Sequence, residues 1–403
     1  MSAASKNQPF DRRLSAPIYK QIAQWIEEQI HSGVYAPGAM LPSTKSFREQ
    51  LGGVNHLTIR QAIAALSKKG LVYSVKGKGT YVARQSATEV RAARGVIGVV
   101  CSSLADGYAH QIVVGVESHL RKAGYELILC NSEYSVANEA DHLRRLRARG
   151  VDGVLLFPFM PPANQELVES LANDRAHRMP IVCLDRGFPK SNLPLVDADN
   201  RRGAYEAVSH LISLGHRRIG FIVSSISWIE TLEPLKQRFL GYRQALKEAG
   251  IEFHRELIQE VGSTLAFMRP RDVGLEHYGY QAMHKLLMLD APPTAVFLLW
   301  DEIAPGALAA IRNSNLRVPQ DVSLVGCNDE LLAKLLARPL TTIHMPAEQI
   351  GAEAAHMLVD LLNGEPVKDF HKILPAKLLI RATTAAVAGR QPFSAPLDAL
   401  VTD

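Results

Sequence analysis

From residue 95 to about residue 327 the chain repeats one alternation: a short apolar run of strand length, then a longer stretch with helical periodicity. The strand-like runs are 96–101, 125–130, 153–157, 180–184, 218–223, 295–299 and 323–327. Between them lie helical stretches at 109–123, 136–149, near 164–175, 200–214, 236–249 and 305–314. Apolar strands separated by amphipathic helices form parallel sheets covered on both faces. The pattern restarts with helix 200–214, so we expect an α/β region of two lobes, each with its own parallel sheet. A ligand enters such a fold in the crevice at the carboxyl ends of the strands.

The first 94 residues follow other rules. They hold 14 Lys/Arg against 5 Asp/Glu, while the rest of the 403-residue chain holds 31 against 35. The net charge of +5 thus hides a basic block on a mildly acidic body, and only the block suits a polyanion. Residues 1–15 are polar and read as disordered. Ala16-Pro17 opens a helix in which Ile18, Ile22, Ile26 and Ile30 recur every four residues until Gly33. Pro37-Gly38 turns the chain, Ser43 caps a short second helix through Phe47 to Leu51, and Gly52-Gly53 breaks it. Asn55 caps a third helix with Ile59, Ala62, Ile63 and Leu66 on its apolar side and His56, Arg60 and Gln61 opposite; Gly70 closes it. Strands 71–75 and 80–82 follow, joined by Lys76-Gly77-Lys78-Gly79.

Two short helices around a glycine turn, then a hairpin with a basic tip, make a winged helix-turn-helix. The third helix of such a unit enters the major groove, and the wing lies along the backbone or minor groove. Lys and Arg on phosphates supply affinity, while side chains of the third helix read base edges. The pair Gly77-x-Gly79 lacks a third glycine and a following helix, so it suits a tight hairpin better than a phosphate loop.

Three segments make this region recognisable: Leu41-Pro42-Ser43-Thr44-Lys45, Val54-Asn55-His56-Leu57-Thr58-Ile59-Arg60-Gln61-Ala62-Ile63, and Gly77-Lys78-Gly79-Thr80-Tyr81-Val82. Together they resemble the GntR-type winged-helix domain, over residues 16–84. The resemblance implies DNA contacts from Ser43, Thr44, Lys45, Asn55, His56, Thr58, Arg60, Gln61, Gly77, Lys78, Gly79 and Thr80. Lys45 and His56 stand where that family usually has arginines, and the extra glycine at 52–53 lengthens the turn. These departures bear on the operator sequence.

The α/β region carries its own phrases: Val151-Asp152-Gly153-Val154-Leu155-Leu156, Asp199-Asn200-Arg201-Arg202-Gly203-Ala204, Leu214-Gly215-His216-Arg217-Arg218-Ile219, Arg238-Phe239-Leu240-Gly241-Tyr242, Val318-Pro319-Gln320-Asp321-Val322-Ser323 and Pro339-Leu340-Thr341-Thr342-Ile343. Together they resemble the effector domain of the LacI/GalR family, a periplasmic-binding-protein-like fold, over about 95–385. A GntR-type head on a LacI-type sensor resembles the arabinose-repressor architecture. Residues 85–94 lack apolar periodicity and read as a linker, and 386–403 as a flexible tail. Lobe 1 would take about 95–198 and 347–372, lobe 2 about 199–345 and 373–385.

By the same resemblance the ligand meets Ser103, Leu104, Asp106 and Tyr108 after the first strand, with Ser102 beside them. Asp185 follows in Leu184-Asp185-Arg186. Arg238 heads Arg-x-x-Gly-Tyr and forks onto hydroxyls or a carboxylate from a partly solvated place at the cleft mouth. Trp300-Asp301 occupies the place of a common Asn-Asp pair, with Trp300 stacking on a sugar ring, and Asn328 stands where the family usually has an aspartate. Plainer roles compete: helix caps for Asp185 and Asp301, core packing at the hinge for Trp300, an exposed ion pair for Arg238.

The N-terminus has no apolar secretory segment, and no apolar run approaches the roughly 20 residues of a membrane helix. Cys101, Cys130, Cys183 and Cys327 are far apart and read as buried and reduced, without metal spacing or a disulfide framework. No phosphate loop, nucleophile elbow or metal-binding helix is found, and no motif asks for a cofactor. A winged-helix-fused aminotransferase would need a lysine followed by a phosphate-clamping arginine and a longer domain, and neither is found. A periplasmic solute-binding protein is opposed by the head. The expectation is a cytoplasmic homodimeric regulator on double-stranded operator DNA, a repressor released by a sugar or sugar derivative, not an enzyme and not membrane-bound. An activator or a co-repressed regulator would share the architecture.

Overall fold

The computed structural model describes residue 10 and residues 17–36, 38–69, 71–75, 78–83, 95–161, 163–174, 179–261 and 275–387. Contacts divide the chain into two units, Met1–Ala92 and Ala93–Asp403. The expected linker at 85–94 and most of the expected tail lie outside the described residues.

In the first unit, α1 (Ile18–His31) buries Ile22 and Ile26. Helix α2 (Thr44–Gln50) starts where Ser43 Oγ accepts the Ser46 N–H at 3.1 Å, and α3 (His56–Lys68) where Asn55 Oδ1 accepts the Leu57 N–H at 3.0 Å. Helices this short are marginal alone, so a shared core must hold them. Phe47 is its centre, fully buried with the rings of Trp25 and Tyr35 edge-on at 6.5 and 6.4 Å. Ile59, Ala62 and Leu66 close it from α3, while Ile63 is only half-buried. Phe10 also packs into this core, so the expectation of disorder over 1–15 fails there: a phenyl ring gains more from burial than its polar neighbours. An antiparallel hairpin follows, β1 (Val72–Val75) and β2 (Gly79–Val82), with Val75 opposite Gly79. Gly79 sits at φ +134°, a conformation that L side chains rarely adopt.

The second unit begins in lobe 1 with β3 (Val96–Cys101), α4 (Gly107–Ala123), β4 (Glu126–Asn131), α5 (Val136–Arg149), β5 (Gly153–Leu156), α6 (Gln165–Ala172), β6 (Ile181–Leu184) and β7 (Leu195–Ala198). The chain crosses at Asp199 into lobe 2: α7 (Asn200–Ser213), β8 (Ile219–Val223), α8 (Ile226–Thr231), α9 (Glu233–Glu248), β9 (Ile258–Glu260) and α10 (Leu275–Leu287). It continues through β10 (Ala295–Leu298), α11 (Ala304–Asn313), β11 (Ser323–Asn328), α12 (Leu331–Leu335) and β12 (Thr341–His344). At Met345-Pro346 it returns to lobe 1 as α13 (Ala347–Asn363) and β13 (His371–Leu374), then crosses a third time to β14 (Lys377–Leu379). The third crossing was expected after residue 372; strand pairing with β7 carries the chain in lobe 1 through Leu374.

Lobe 1 has the strand order β13-β7-β6-β5-β3-β4, all parallel. Lobe 2 has β14-β12-β11-β10-β8-β9, parallel except where β14 runs against β12. Central strands such as β5 (GVLL) and β6 (IVCL) are buried at every position, as strands covered on both faces require. Helices α4 and α13 pack backbone to backbone. A methyl on Gly115 would overlap the Glu348 carbonyl, and one on Gly351 the Ile112 carbonyl, so only glycine permits this approach.

Among the described residues no helix is long and apolar enough to cross a membrane. All four cysteines are free; Cys101, Cys183 and Cys327 are buried, which pushes their thiols up to about 11, 12 and 12. Cys130 is half-buried, since its edge strand β4 is covered less completely than the centre of the sheet.

Candidate functional site

The loops after the strands of both sheets line one cleft of about 540 Å³, within the roughly 300–1,000 Å³ usual for small-molecule sites. Lobe 1 contributes Ser102, Ser103, Asp106 and Tyr108 after β3, Tyr134 after β4, Phe157 and Phe159 after β5, and Asp185 and Arg186 after β6. Lobe 2 contributes Trp228 and Leu232 around α8, Leu235 and Arg238 from α9, Trp300 and Glu302 after β10, and Asn328 at the end of β11.

Arg238 organises the lobe 2 wall. Its Nε donates to Asn200 Oδ1 at 2.8 Å, Nη1 to the Leu299 carbonyl at 2.9 Å and Nη2 to Asn328 Oδ1 at 3.4 Å. It is 3% exposed and lies in the second turn of α9, which corrects the expectation of a partly solvated guanidinium at the cleft mouth. The residue faces the sheet, and burial is tolerable because each nitrogen finds an acceptor. On the lobe 1 wall the Tyr108 hydroxyl donates to Asp185 Oδ1 at 2.7 Å, and burial with that carboxylate holds the phenol well above its usual range. Arg186 lies 4.5 Å over the Phe157 ring and 3.4 Å from Asp185 Oδ2. Asp185 and Asn328 adopt φ +64° and +111°, strained for residues with side chains and common where a site fixes its groups.

Asp106 caps α4 by accepting the Tyr108 and Ala109 N–H groups at 2.9 and 3.1 Å, and burial raises its carboxyl. The cap role expected as an alternative for Asp185 and Asp301 therefore belongs to Asp106. Asp301 is fully buried behind the cleft, accepting from Thr342 Oγ1 at 2.6 Å and the Glu330 N–H at 2.9 Å. Burial, with neighbouring carboxylates adding to it, lifts Asp301 to about 7, Glu330 to about 7 and Glu302 to about 8.

Ser103, Asp106, Tyr108, Asp185, Arg238, Trp300 and Asn328 thus come together as the resemblance implied. Leu104 does not: it lies on the bend between β3 and α4, 41% exposed and outside the lining. Sequence reasoning missed Tyr134, Phe159, Trp228 and Glu302. Phe157 and Arg186, also missed, were signalled by their places at a strand end and beside Asp185. Tyr134 stacks edge-on to Phe159 at 5.6 Å, and the Phe159 N–H is fixed at 2.7 Å by the buried Glu139.

In the first unit Lys45, His56, Arg60, Gln61 and Lys78 are exposed, and Thr44, Thr58 and Thr80 half-buried. Among the described residues Lys45, Arg60 and Lys78 enter no ion pair, which leaves their charges available to phosphates. The oxygens of Ser43 and Asn55 are occupied by the helix caps. Gly77 lies outside the described residues, and Gly79 is exposed. Leu57, 55% exposed on α3, is a further groove-facing candidate that the sequence analysis did not single out.

Residues 18–82 match the family described as bacterial regulatory proteins of the gntR family, and residues 208–384 match the periplasmic binding protein-like domain. The HTH-type transcriptional repressor PurR of Pasteurella multocida is 33% identical over 267 residues, 66% of this chain and 74% of that protein. The arabinose metabolism transcriptional repressor of Geobacillus stearothermophilus is 28% identical over 374 residues, 92% of this chain and 98% of that one. A solved LacI family transcriptional regulator from Enterococcus faecium with bound ribose superposes with a TM-score of 0.59 at 26% identity, covering 72% of this chain and 99% of its own.

Proposed function

Because the chain belongs to the family of bacterial transcriptional repressors with a LacI-type sensor, here headed by a GntR-type winged helix, we propose that a sugar or sugar derivative releases it from its operator. The observation that carries this reading is the cleft itself: strand ends of two lobes, joined by three crossings, surround one space walled by aromatic rings and hydrogen-bonding groups. Aromatic faces suit the apolar face of a sugar ring, and the polar groups suit its hydroxyls. The ribose in the Enterococcus faecium structure supports a sugar in this fold.

In this reading the chain works as a cytoplasmic homodimer on double-stranded DNA. Helix α3 enters the major groove with His56, Arg60 and Gln61, and Lys45 and the wing residue Lys78 hold phosphates. An empty cleft permits both heads of the dimer to hold half-sites. Ligand closes the lobes and favours a state in which they do not. Couplings of about 1–3 kcal/mol correspond to roughly 5- to 150-fold in operator affinity.

The test is a selection of bound fragments from the genomic DNA of the source organism, followed by anisotropy titration of the winning site with and without pentoses and hexoses. A recurrent inverted repeat, released by one sugar, is expected. Tighter binding on adding the sugar would make the ligand a co-repressor. No sequence preference at all would sink the regulator reading.

A further inference from the structure

Arg238 already donates to three neutral acceptors, and Arg186 lies over Phe157 and is ion-paired with Asp185, although its buried Nε makes no hydrogen bond. Against these two cations the lining holds Asp106, Asp185, Glu276 and Glu302. Glu330 stands just behind, accepting from Asn328 Nδ2 at 3.1 Å. An acid surplus remains after the arginines are counted. Within it Glu302 is distinctive: among the described residues it has no hydrogen-bond or ion-pair partner, although it lines the cleft beside rings. The groups that act on it electrostatically are Glu330, Asp106 and Asp301, all of its own sign. Tyr134, from lobe 1, feels both Asp106 and Glu302. Asp106 belongs to lobe 1 and Glu302 to lobe 2, so carboxyl groups from both lobes line the space that a ligand would close.

That arrangement is poorly suited to an anion. A phosphate or carboxylate would meet more carboxyl groups than guanidinium groups and find each nitrogen of Arg238 already donating once. A cation suits it: an ammonium favours the ionised form of both carboxyl groups and is then shared between them, and aromatic walls add cation–π attraction. We propose that the effector carries a protonated amine, held by Asp106 and Glu302 from opposite lobes and packed against Trp228 and Trp300: an amino sugar, if the sugar reading above, on which this inference rests, is correct. The amine then does two things. It selects the ligand, and it draws the lobes together.

Because burial and like-charged neighbours hold Glu302 at about 8, a bound ammonium that ionises it must also release a proton.

The experiment uses the full chain and four matched sets of probes: D-glucosamine and D-galactosamine; D-glucose, D-galactose and D-arabinose; glucose 6-phosphate and glucuronate; and the non-sugar amines ethanolamine and agmatine. Thermal shift ranks them, and titration calorimetry in two buffers of different ionisation heat counts protons. The expected result is binding by an amino sugar about tenfold or more tighter than its parent sugar, with proton release, and a Glu302→Gln variant that erases the gap. A neutral or anionic sugar that binds as well as its amino counterpart overturns the proposal and leaves the sugar reading standing. Binding by a non-sugar amine alone keeps the amine and removes the sugar. No binding by any probe overturns both.

Discussion

Arg60 and Arg238 are both arginines with a proposed partner outside the protein, and they stand in opposite surroundings. Arg60 projects from α3 into solvent, tied to nothing among the described residues, with Ile59 and Ala62 beside it in the core. Arg238 is 3% exposed and donates to three acceptors before any ligand arrives. In the head, recognition is laid on the surface of a core that does not depend on it. In the cleft, the groups that would meet ligand also hold the lobe together. A surface charge such as Arg60 can be exchanged with little effect on folding, whereas Arg238 cannot be altered for specificity without altering stability.

The contrast is sharpest at Arg238→Ala. The change strands Asn200 Oδ1, the Leu299 carbonyl and Asn328 Oδ1 in a buried site. At about 1–3 kcal/mol for each orphaned group, unfolding free energy should fall by about 3 kcal/mol or more. Urea denaturation followed by tryptophan fluorescence reads this directly, and an unchanged midpoint would erase the distinction between the two arginines. Arg60→Ala should do the reverse. Stability should stay within about 0.5 kcal/mol of the parent while operator affinity drops by about 1–3 kcal/mol. Lys45→Ala should weaken all DNA sites alike and lower the salt dependence by about one phosphate. A destabilised Arg60→Ala protein would show that the head, too, builds its core through its contact residues.

A further effect concerns pH. Asp301, Glu330 and Glu302 are held at about 7, 7 and 8, above the ordinary carboxylate value near 4. The folded sensor therefore binds more protons than the unfolded chain between about pH 4 and 8, so its stability falls as pH rises through that window. The head has no buried carboxylate among its described residues. Calorimetry from pH 5 to 8 should show the sensor transition moving down and the head transition moving less. Glu302→Gln should flatten the sensor's slope, and a slope of opposite sign would overturn the account.

The sequence exposed the strands that are apolar throughout and the helices with clear caps, because those signals are local. It did not expose β7, β9, α8 or α10. Strand β9 is three residues, Ile-Gln-Glu, paired only along one edge, and β7 (LVDA) carries a charge at its third position. The same limit applied to the cleft. The family resemblance, which puts ligand-facing residues at strand ends, named Ser103, Asp106, Tyr108, Asp185 and Asn328, and a parallel sheet brings such ends to one side. Trp228 and Glu302 sit on elements whose direction is set by packing between distant segments, which no local pattern records. Arg238 was expected partly solvated at the cleft mouth and is buried instead, since the Arg-x-x-Gly-Tyr spacing does not reveal that Asn200 and Leu299 wait opposite it.

The three crossings between lobes have a consequence for the order in which the protein is made. The head needs nothing beyond Val82, whereas lobe 1 starts at Val96 and is finished only by α13 and β13, ending at Leu374. A ribosome adding roughly 5–20 residues per second delivers Val82 about 15–60 s before Leu374. During that interval a nascent chain has a complete DNA-reading surface and half a sensor. Translation halted anywhere in that stretch leaves a complete head beside an unfinished sensor, and no single cut of the gene can yield lobe 1 intact without lobe 2.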